Sequence, residues 1–395
     1  MVLAYLSEMK LISALILVIS LSGLKGQDRP HAYITGRTTG PLPYIKYGLG
    51  EDRLGGAKMT YLDSNITVKV VDSVKDDYKV QLSAYHYAYL PKANFRADTT
   101  KIQPYYLTNS WRVYGDEKYD YLIVTLDEKL PYRSIQQVNP SKIIVDVFGV
   151  ISNTNWITQL STATEIKNVY YEQIEDDVFR IYIELKHAQH WGYFISYQEN
   201  KLVIRVKRQP PKLNIKNLVV AIDAGHGGSN FGATGETSGV QEKDYTLKIA
   251  NQVEKYLRQK KVNVFMTRVG DTDLTMIDRT LMVREIDPDI LISIHLNSSS
   301  DITVSGVSTY YRYIGFRTLS EAILKEMLEL KLNEFGNIGA FNFGLNGPTE
   351  YPNCLVEVAF LSNAEDEKRI LNPKFHKDVA KKIYNGIADW LKEIR

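Results

Sequence analysis

The sequence has only one cysteine, Cys354, among its 395 residues. A single cysteine excludes a framework of disulfides within the chain, so packing and hydrogen bonds must hold the fold together. Cys354 lies inside an apolar run and is therefore expected to be a small core residue. The sequence also lacks an excess of charge, because its formal net charge is +2. Such an even balance gives no support to nucleic-acid binding, which normally requires a basic face or stripe.

An apolar run long enough to span a membrane is missing too. The longest candidate, "LISALILVISLSGL" (11–24), follows Lys10 and precedes the polar "KGQDRP". A spanning helix needs roughly 20 apolar residues, so we predict a cleaved signal peptide over residues 1–26 and no stable membrane span. Either Met1 or Met9 is a possible start for this segment. No cysteine lies directly after the run, which argues against a lipid anchor, and the protein is expected to be exported.

The length predicts two or three domains, at roughly 150 residues each. Near the N-terminus, "ITVKVVD" (66–72) and "YKVQLSAYHYAYL" (78–90) alternate apolar and polar residues in the manner of half-buried strands. We therefore predict a small β-barrel-like module over residues 31–107, similar to the bacterial Src-homology barrels. One row of tyrosines is interpreted as sheet packing rather than as a glycan platform: Tyr85, Tyr87 and Tyr89.

Residues 109–207 contain an internal repeat. The segments "YLIVTLDEKLPY" (121–132) and "SKIIVDV" (141–147) are followed by the similar segments "RIYIELKHAQHW" (180–191) and "NKLVIRV" (200–206), at an offset of 59 positions (180 − 121). Two copies of a strand–loop–strand unit predict a symmetric β domain with two sheets. This pattern resembles the AMIN domain found ahead of cell-wall amidases, which favours the periplasm as the location over the cell exterior or the cell wall.

Two histidines of this region need a separate interpretation. His187 and His190 lie in the loop of the second copy. Because the sequence offers no third ligand beside them, we predict solvated loop residues rather than a metal site.

The sequence pattern changes after residue 207. A predicted linker over residues 208–216 contains paired prolines, which stiffen it. Beyond it, apolar strands alternate with amphipathic helices. This predicts an α/β domain over residues 217–395, with a mostly parallel sheet flanked by helices and preceded by the all-β N-terminal modules. The predicted strands are 218–223, 262–268, 289–295 and 354–360, and the predicted helices are 244–260, 318–332 and 375–394.

Four polar residues of this α/β domain stand where the pattern asks for apolar residues or ends. His226 follows the first strand and lies between glycines, and His295 ends "ILISIH". Glu242 opens the first helix, and Glu357 interrupts the apolar "CLVEVAF". Functional crevices of open α/β sheets lie beyond the carboxyl ends of the strands. His226 and His295 are therefore expected to converge, although they are 69 positions apart (295 − 226).

Two imidazoles and one carboxylate are the protein ligands of many catalytic zinc ions, with the fourth position left to water. The glycines around His226 would leave room for a metal and a substrate. Taken alone, the Gly-His-Gly sequence is more simply explained as a turn. His295 alone is no stronger an indication of a metal site. Together, the four residues favour a zinc site made by His226, Glu242 and His295, with Glu357 beside it.

Four motifs carry these residues in a fixed order: "VVAIDAGHGGSNFGATG", "QEKDYTLKIA", "DILISIHLNSS" and "CLVEVAFLSN". Over about residues 217–394 the chain resembles the zinc-dependent N-acetylmuramoyl-L-alanine amidases of the type-3 class. The resemblance implies one zinc ion per chain, bound by His226, Glu242 and His295. It also implies a peptidoglycan hydrolase that cleaves the amide between N-acetylmuramic acid and L-alanine. In such an enzyme zinc activates a water molecule, and Glu357 is the catalytic general base.

The sequence departs from the pattern of that family at three places. Asn230 stands where an aspartate is common, "NIGAFNFG" (337–344) lacks the usual arginine, and "REIDPD" (284–289) replaces an alanine–asparagine pair. These departures leave the positioning of the substrate open but do not affect the predicted metal ligands. Three further residues match family positions at which we expect structural ion pairs: Arg268, Asp271 and Arg279.

Alternatives to this interpretation stay open. A zinc carboxypeptidase acting on wall peptides would need a pocket for a free carboxylate, for which no motif is visible. A wall-binding protein with a degenerate catalytic domain would lack ligand or catalytic residues, whereas all four motif residues are present: His226, Glu242, His295 and Glu357. For Glu357, a structural salt bridge with Arg268 or Arg279 is the alternative to catalysis. Peptidoglycan is the expected partner, together with a division-site activator or another wall-associated protein.

Overall fold

The computed structural model describes residues 33–51, 54–99 and 101–395. The predicted signal peptide, residues 1–26, lies outside these ranges. Along the described residues, three largely antiparallel sheets are followed by a mostly parallel sheet with helices. No helix in this part of the chain is both long and apolar enough to cross a membrane.

The first seven strands are short and form one antiparallel sheet, called here the N-terminal sheet. They are β1 (Ile34–Thr38), β2 (Tyr44–Lys46), β3 (Lys58–Tyr61), β4 (Thr67–Val74), β5 (Asp77–Gln81), β6 (Tyr87–Pro91) and β7 (Phe95–Ala97). Their order in the sheet is β3-β2-β6-β5-β4-β1-β7. Apolar side chains from its strands, such as Ile45, Val68 and Val80, are buried beneath it.

The segment 78–90 is a hairpin rather than the single strand that its alternation predicted. β5 and β6 pair antiparallel, with Gln81 opposite Tyr87. The turn between them is closed by the Ser83 hydroxyl, which bonds the ring and the backbone N–H of His86. Tyr85 lies in this turn and is 82% exposed, so it does not pack on the sheet.

The next ten strands form two sheets that pack together, called here the two-sheet domain. They are β8 (Tyr106–Gly115), β9 (Tyr119–Leu126), β10 (Tyr132–Val138), β11 (Ser141–Phe148), β12 (Val150–Ile151), β13 (Ile157–Gln159), β14 (Ile166–Glu175), β15 (Val178–Leu185), β16 (Tyr193–Gln198) and β17 (Lys201–Lys207). One sheet has the order β10-β11-β15-β14, and the other has the order β12-β8-β9-β17-β16 with β13 also paired to β8.

The predicted symmetry of the repeat is visible in this topology. Strands β8–β11 form the first copy of the repeat and β14–β17 the second. Replacing each strand by its equivalent in the other copy converts the order β10-β11-β15-β14 into β16-β17-β9-β8. Read in reverse, this is the order of four strands of the other sheet. The register is preserved as well, because Lys142 lies opposite Glu184 and its equivalent Lys201 lies opposite Thr125. Each sheet therefore contains two strands from each copy.

The prediction of two solvated histidines is wrong for His190. His187 is partly exposed, and its Nδ1 lies 2.6 Å from Oε2 of Glu165. His190 is buried, and its Nε2 contacts the carbonyl oxygen of Gln137 at 2.9 Å. The reason is that the loop carrying His190 packs against Gly315 of the following domain, which a sequence pattern does not reveal.

The C-terminal region has six strands and five helices in the described residues. The strands are β18 (Val219–Ala224), β19 (Asn263–Met266), β20 (Ile290–Asn297), β21 (Val307–Tyr310), β22 (Glu334–Ile338) and β23 (Asn353–Phe360). The helices are α1 (Glu242–Gln259), α2 (Met276–Ile286), α3 (Arg317–Leu328), α4 (Ala364–Ile370) and α5 (Pro373–Glu393). The sheet order is β19-β18-β20-β23-β21-β22, and β21 pairs with β23 in the antiparallel direction, whereas the other pairs are parallel.

The fold class predicted from the sequence is therefore confirmed, with differences in detail. The predicted helix over 318–332 ends at Leu328, and α2 and α4 were not predicted. Between β20 and β23 lie two further strands, β21 and β22, which were not among the predicted strands. The start of α2 does carry a recognisable signal, because Thr275 and Asp278 form a capping box.

The domains share buried contacts at their junctions. Trp191, which is equivalent to Tyr132 of the first copy, packs within the core of the C-terminal region at 5.3 Å from the ring of Trp390. The core of the N-terminal sheet is likewise continuous with that of the two-sheet domain. These contacts connect the N-terminal sheet to the two-sheet domain, and the two-sheet domain to α5 of the C-terminal region.

Candidate metal centre and cleft

The predicted site residues meet at the carboxyl ends of the central strands. His226 follows β18, His295 lies near the end of β20, and Glu357 lies on the neighbouring strand β23. In the pairing of β20 with β23, His295 is directly opposite Glu357. Glu242 is the first residue of α1, which packs on β18 and β20. Parallel pairing thus brings together residues that are distant in sequence.

The loop after β18 is shaped to present His226. Its φ angle is +61°, a left-handed conformation that a residue with a side chain rarely adopts and that often marks a functional site. The preceding Gly225 leaves space for the other histidine, because a Cβ atom there would lie 2.4 Å from the ring of His295. The two imidazole rings lie 4.9 Å apart, edge to face.

One carboxylate oxygen joins the two histidines. Oε1 of Glu242 lies 3.0 Å from Nε2 of His226 and 3.1 Å from Nδ1 of His295. The same carboxylate accepts hydrogen bonds from the backbone N–H groups of Leu296 and Ala233. Glu242 is only 4% exposed, so its position is fixed by these contacts.

The donor set fits a metal ion. Potential ligand atoms of His226, Glu242 and His295 all lie within 4.8 Å of one another. Nδ1 of His226 lies 2.9 Å from Oδ1 of Asn230, which can only accept a hydrogen bond. If the ring proton is on Nδ1, the lone pair of Nε2 faces the anionic oxygen of Glu242. A proton or a metal ion between these two atoms would stabilise the contact, and two ligands of one zinc ion lie about 3.3 Å apart.

His295 gives a second observation that fits a cation at this site. Within the described part of the chain, its Nε2 is buried and has no hydrogen-bond partner. Buried polar atoms without a partner are rare in folded proteins and often mark the position of a bound group. The residues present are therefore suited to holding a cation.

The electrostatics of the cluster agree with this. Burial raises the pKa of Glu242, but the hydrogen bonds from His226 and His295 outweigh it and hold that pKa well below the ordinary value. Burial lowers the pKa of His226, and the contact with Glu242 reverses this and raises the pKa above its ordinary value. The cluster therefore favours a positive charge next to Glu242, which a proton or a metal ion can supply.

A buried ion pair supports the loop of His226. Asp223, at the end of β18, accepts hydrogen bonds from Ser293, Thr267 and Arg279. Arg279 also donates to the backbone carbonyls of Ala224 and His226. The pKa of Asp223 is lowered because Arg279 and these donors outweigh its burial. Sequence reasoning gave Asp223 no role, although a carboxylate at the end of an apolar strand is a usable signal.

The other two matched positions also have structural contacts. Arg268 donates to the carbonyl oxygens of Ala224, Gly225 and Lys243. Asp271 forms an ion pair with Lys243 at 2.8 Å. Arg268 and Arg279, the two arginines considered as salt-bridge partners of Glu357, thus donate hydrogen bonds to other groups.

An open cleft of about 400 Å³ surrounds the three ligands and Glu357. Glu357 is partly exposed there, whereas the other residues of β23 are buried. The polar residues Asn297 and Ser298 also line the cleft. Four apolar residues of its wall were not identified from the sequence: Leu54, Phe341, Phe343 and Leu355. Leu54 belongs to the N-terminal sheet region, so no local pattern could have placed it at this cleft.

Comparisons with known proteins agree with this geometry. Residues 220–389 match the family described as N-acetylmuramoyl-L-alanine amidase, and residues 110–206 match the AMIN domain. The chain is 30% identical over 204 residues to a germination-specific N-acetylmuramoyl-L-alanine amidase of Bacillus subtilis, covering 47% of this chain and 84% of the relative. It is 29% identical over 204 residues to the probable cell wall amidase LytH of Staphylococcus saprophyticus, covering 51% of this chain and 68% of that protein.

Solved structures of similar sequence include the catalytic domain of CwlV, an N-acetylmuramoyl-L-alanine amidase from Paenibacillus polymyxa. Its identity to this chain is 33%, with a TM-score of 0.42, and the match covers 45% of this chain and 99% of that one. The matched relatives, the matched domains and the site-bearing sheet lead to the same conclusion: the chain belongs to the N-acetylmuramoyl-L-alanine amidase family, as a cell-wall hydrolase that also carries an AMIN domain.

Proposed function

We propose that this protein is a zinc-dependent amidase that hydrolyses the bond between N-acetylmuramic acid and the L-alanine of the stem peptide. Membership of the family supports the reaction class. The observation that carries the zinc site is the approach of His226 and His295 to one oxygen of the buried Glu242. We expect these three residues to hold one zinc ion per chain.

A zinc ion bound there would polarise the amide carbonyl and lower the pKa of a bound water molecule. The residues of the chain have separate tasks. Asn230 and Arg279 keep His226 in place through its Nδ1 and its backbone carbonyl. Glu357 lies opposite His295 and lines the cleft, where it would take a proton from the attacking water and deliver it to the departing amine.

We also propose that residues 31–207 locate the enzyme at the cell wall or the division machinery, with peptidoglycan or a wall-associated protein as partner. The match to an AMIN domain and the absence of a metal-ligand cluster in the described part of this region support a role other than catalysis. The predicted signal peptide implies export, with the periplasm favoured. The domain limits proposed from the sequence are 31–107, 109–207, 208–216 and 217–395.

Digestion of purified peptidoglycan tests the reaction. The full chain, loaded with zinc, is incubated with sacculi, and the released products are identified by mass spectrometry. We expect free stem peptides with L-alanine at their amino termini. Release of single terminal amino acids would indicate the carboxypeptidase instead. Sedimentation with sacculi without any release would indicate a wall-binding protein.

A separate experiment tests the proposed location. The isolated two-sheet domain with the N-terminal sheet should sediment with sacculi or bind a wall-associated partner, if these modules fold without the C-terminal region. The full chain and a chain without residues 31–207 are compared in cells. Equal localisation and equal activity of the two would refute the targeting role.

A further inference from the structure

The N-terminal sheet region contributes a residue to the cleft of the C-terminal region. Leu54 precedes β3 and lines the cleft together with His226, Glu242 and His295. It is 172 positions away from the nearest of these residues in sequence (226 − 54). One part of the cleft wall therefore comes from outside the region that matches the amidase family.

The loop that carries Leu54 is defined here as residues 54–58, which end at the first residue of β3. Its backbone lies close to an earlier segment, because a Cβ atom at position 56 would lie 1.8 Å from the carbonyl oxygen of Gly48. No side chain fits at such a distance, so glycine is required at position 56. The loop leads directly into β3, which is anchored in the N-terminal sheet.

Asn342 connects this loop to the C-terminal region. Its Oδ1 accepts from the backbone N–H of Lys58 at 3.1 Å, and its Nδ2 donates to the carbonyl of Gly56 at 3.1 Å and that of Leu54 at 3.4 Å. Arg312 adds a hydrogen bond to the carbonyl oxygen of Lys58. A single carboxamide thus holds three backbone groups of the loop that carries Leu54.

The segment around Asn342 forms the adjoining part of the wall. Phe341 and Phe343 flank Asn342 in sequence, and both line the cleft. The ring of Phe343 lies 5.2 Å from that of His295, edge to face. The ring of Phe341 packs on Tyr310 at 4.4 Å. Asn342 therefore fixes Leu54 relative to two aromatic residues and to a proposed zinc ligand.

We propose that Leu54 contacts the bound peptidoglycan fragment and that Asn342 is the residue that positions it. This inference rests on the proposed function, because the cleft is taken to bind the muramoyl–alanine unit. Leu54, Phe341 and Phe343 give this unit an apolar wall, which suits the C–H faces of a sugar ring and the methyl groups beside the amide. The N-terminal sheet is thus part of the substrate site as well as a separate module.

The test compares three full-length variants with the wild type on a soluble muramoyl-peptide fragment. Leu54→Ser should raise KM about tenfold with kcat nearly unchanged, because an apolar contact with the substrate is lost. Asn342→Ala should shift KM in the same direction. The double variant should be no worse than the poorer single variant, because both changes act on one contact. Zinc content and Tm of Leu54→Ser should match the wild type.

A second readout does not depend on turnover. Binding of the same fragment is measured by calorimetry in proteins that also carry Glu357→Gln, where Leu54→Ser should again weaken binding about tenfold. Tyr85→Ser is the matched control, since Tyr85 is an exposed residue of the same module and does not line the cleft. Its binding and its KM should equal those of the wild type.

The outcomes are distinguishable. If the wild type releases stem peptides and Leu54→Ser has the KM of the wild type, the inference is wrong while the proposed function holds. If Leu54→Ser is more active than the wild type, the loop obstructs the cleft instead of binding substrate, which also overturns the inference. If the wild type does not cleave the muramoyl–alanine bond, the proposed function fails and this inference fails with it.

Discussion

Buried carboxylates occur both in the two-sheet domain and in the C-terminal region, but their partners differ. In the two-sheet domain, Asp146 accepts hydrogen bonds from Arg133 at 2.8 Å and from Arg180 at 2.6 Å. In the C-terminal region, Glu242 faces Nε2 of His226 and Nδ1 of His295. The guanidinium groups are permanently charged, whereas the imidazoles are neutral unless they bind a proton.

The difference separates structural from functional polar groups. Removing an ion from water costs several kcal/mol unless nearby charges and hydrogen bonds compensate. Asp146 is compensated within the protein by two arginines, so its task is to stabilise the sheets. Compensation of Glu242 instead requires a proton on an imidazole or the proposed metal ion. A buried carboxylate that faces imidazoles is therefore a better indicator of a binding site than one that faces arginines.

The largest expected effect is on zinc binding. Replacing His226 with alanine removes one of three ligands, so the protein should retain no zinc at neutral pH and no amidase activity while staying folded. Metal analysis after gel filtration measures this. The matched variant is His187→Ala, which removes a histidine paired with the buried Glu165 and should lose stability but keep its zinc. Full zinc occupancy in His226→Ala would refute the ligand assignment.

Glu357→Gln should keep both the fold and the zinc but lose activity. A general base typically contributes about 10²–10⁴-fold to the rate, and glutamine preserves size without accepting the proton. The measurement is kcat on a soluble fragment, together with zinc content. Near-normal turnover would exclude the role of general base, and loss of zinc would make Glu357 a ligand.

Asp146→Asn should show the opposite pattern, with stability reduced and the site intact. Removing one partner of a buried ion pair costs about 3–5 kcal/mol, because the remaining charges lose compensation. Urea unfolding followed by fluorescence gives the free energy of unfolding. Zinc content and activity per folded molecule should equal those of the wild type. A variant of wild-type stability would mean that this ion pair does not stabilise the sheets.

The same residue predicts a pH dependence. Burial raises the pKa of Asp146, but the hydrogen bonds from Arg180 and Arg133 more than offset this and lower the pKa below its ordinary value of 3.8. A carboxylate with a lowered pKa in the folded state stabilises the protein above its unfolded pKa, and this stability is lost as the pH falls through the folded pKa. The difference in unfolding free energy between wild type and Asp146→Asn should therefore be constant near pH 7 and shrink below about pH 4. A difference that grows towards acid pH would contradict this sign.

The smallest effect compares equivalent positions of the two repeat copies. Lys142 lies opposite Glu184 and pairs with it at 3.0 Å, whereas Lys201 lies opposite Thr125. Exposed ion pairs contribute at most about 1 kcal/mol. Lys142→Met should therefore cost a few tenths of a kcal/mol more than Lys201→Met in urea unfolding, and high salt should remove the difference. Equal costs at low salt would show that the pair contributes nothing.

The sequence predicted the elements whose patterns are local or repeated. Apolar runs predicted four of the six strands of the C-terminal sheet, and the offset of 59 predicted the two-sheet symmetry. The ligand assignment followed from polar residues at strand ends and from the family resemblance, and its zinc binding stays a prediction. Local patterns could not predict the burial of His190 or the roles of Leu54 and Asn342 at the cleft, because the partners of these residues lie on distant segments. Burial by a neighbouring domain leaves no periodic signal in the buried loop itself.

The exchange of strands between the repeat copies has a consequence for how the chain folds. Each sheet of the two-sheet domain joins two strands from residues 106–148 to two strands from residues 166–207. The first copy alone would leave β9 and β11 with unpaired edges, which are prone to associate with other chains. Pairs such as β9 with β17 also close long loops, and contacts of high sequence separation form slowly. During synthesis, the two sheets can therefore be completed only after the second copy has emerged.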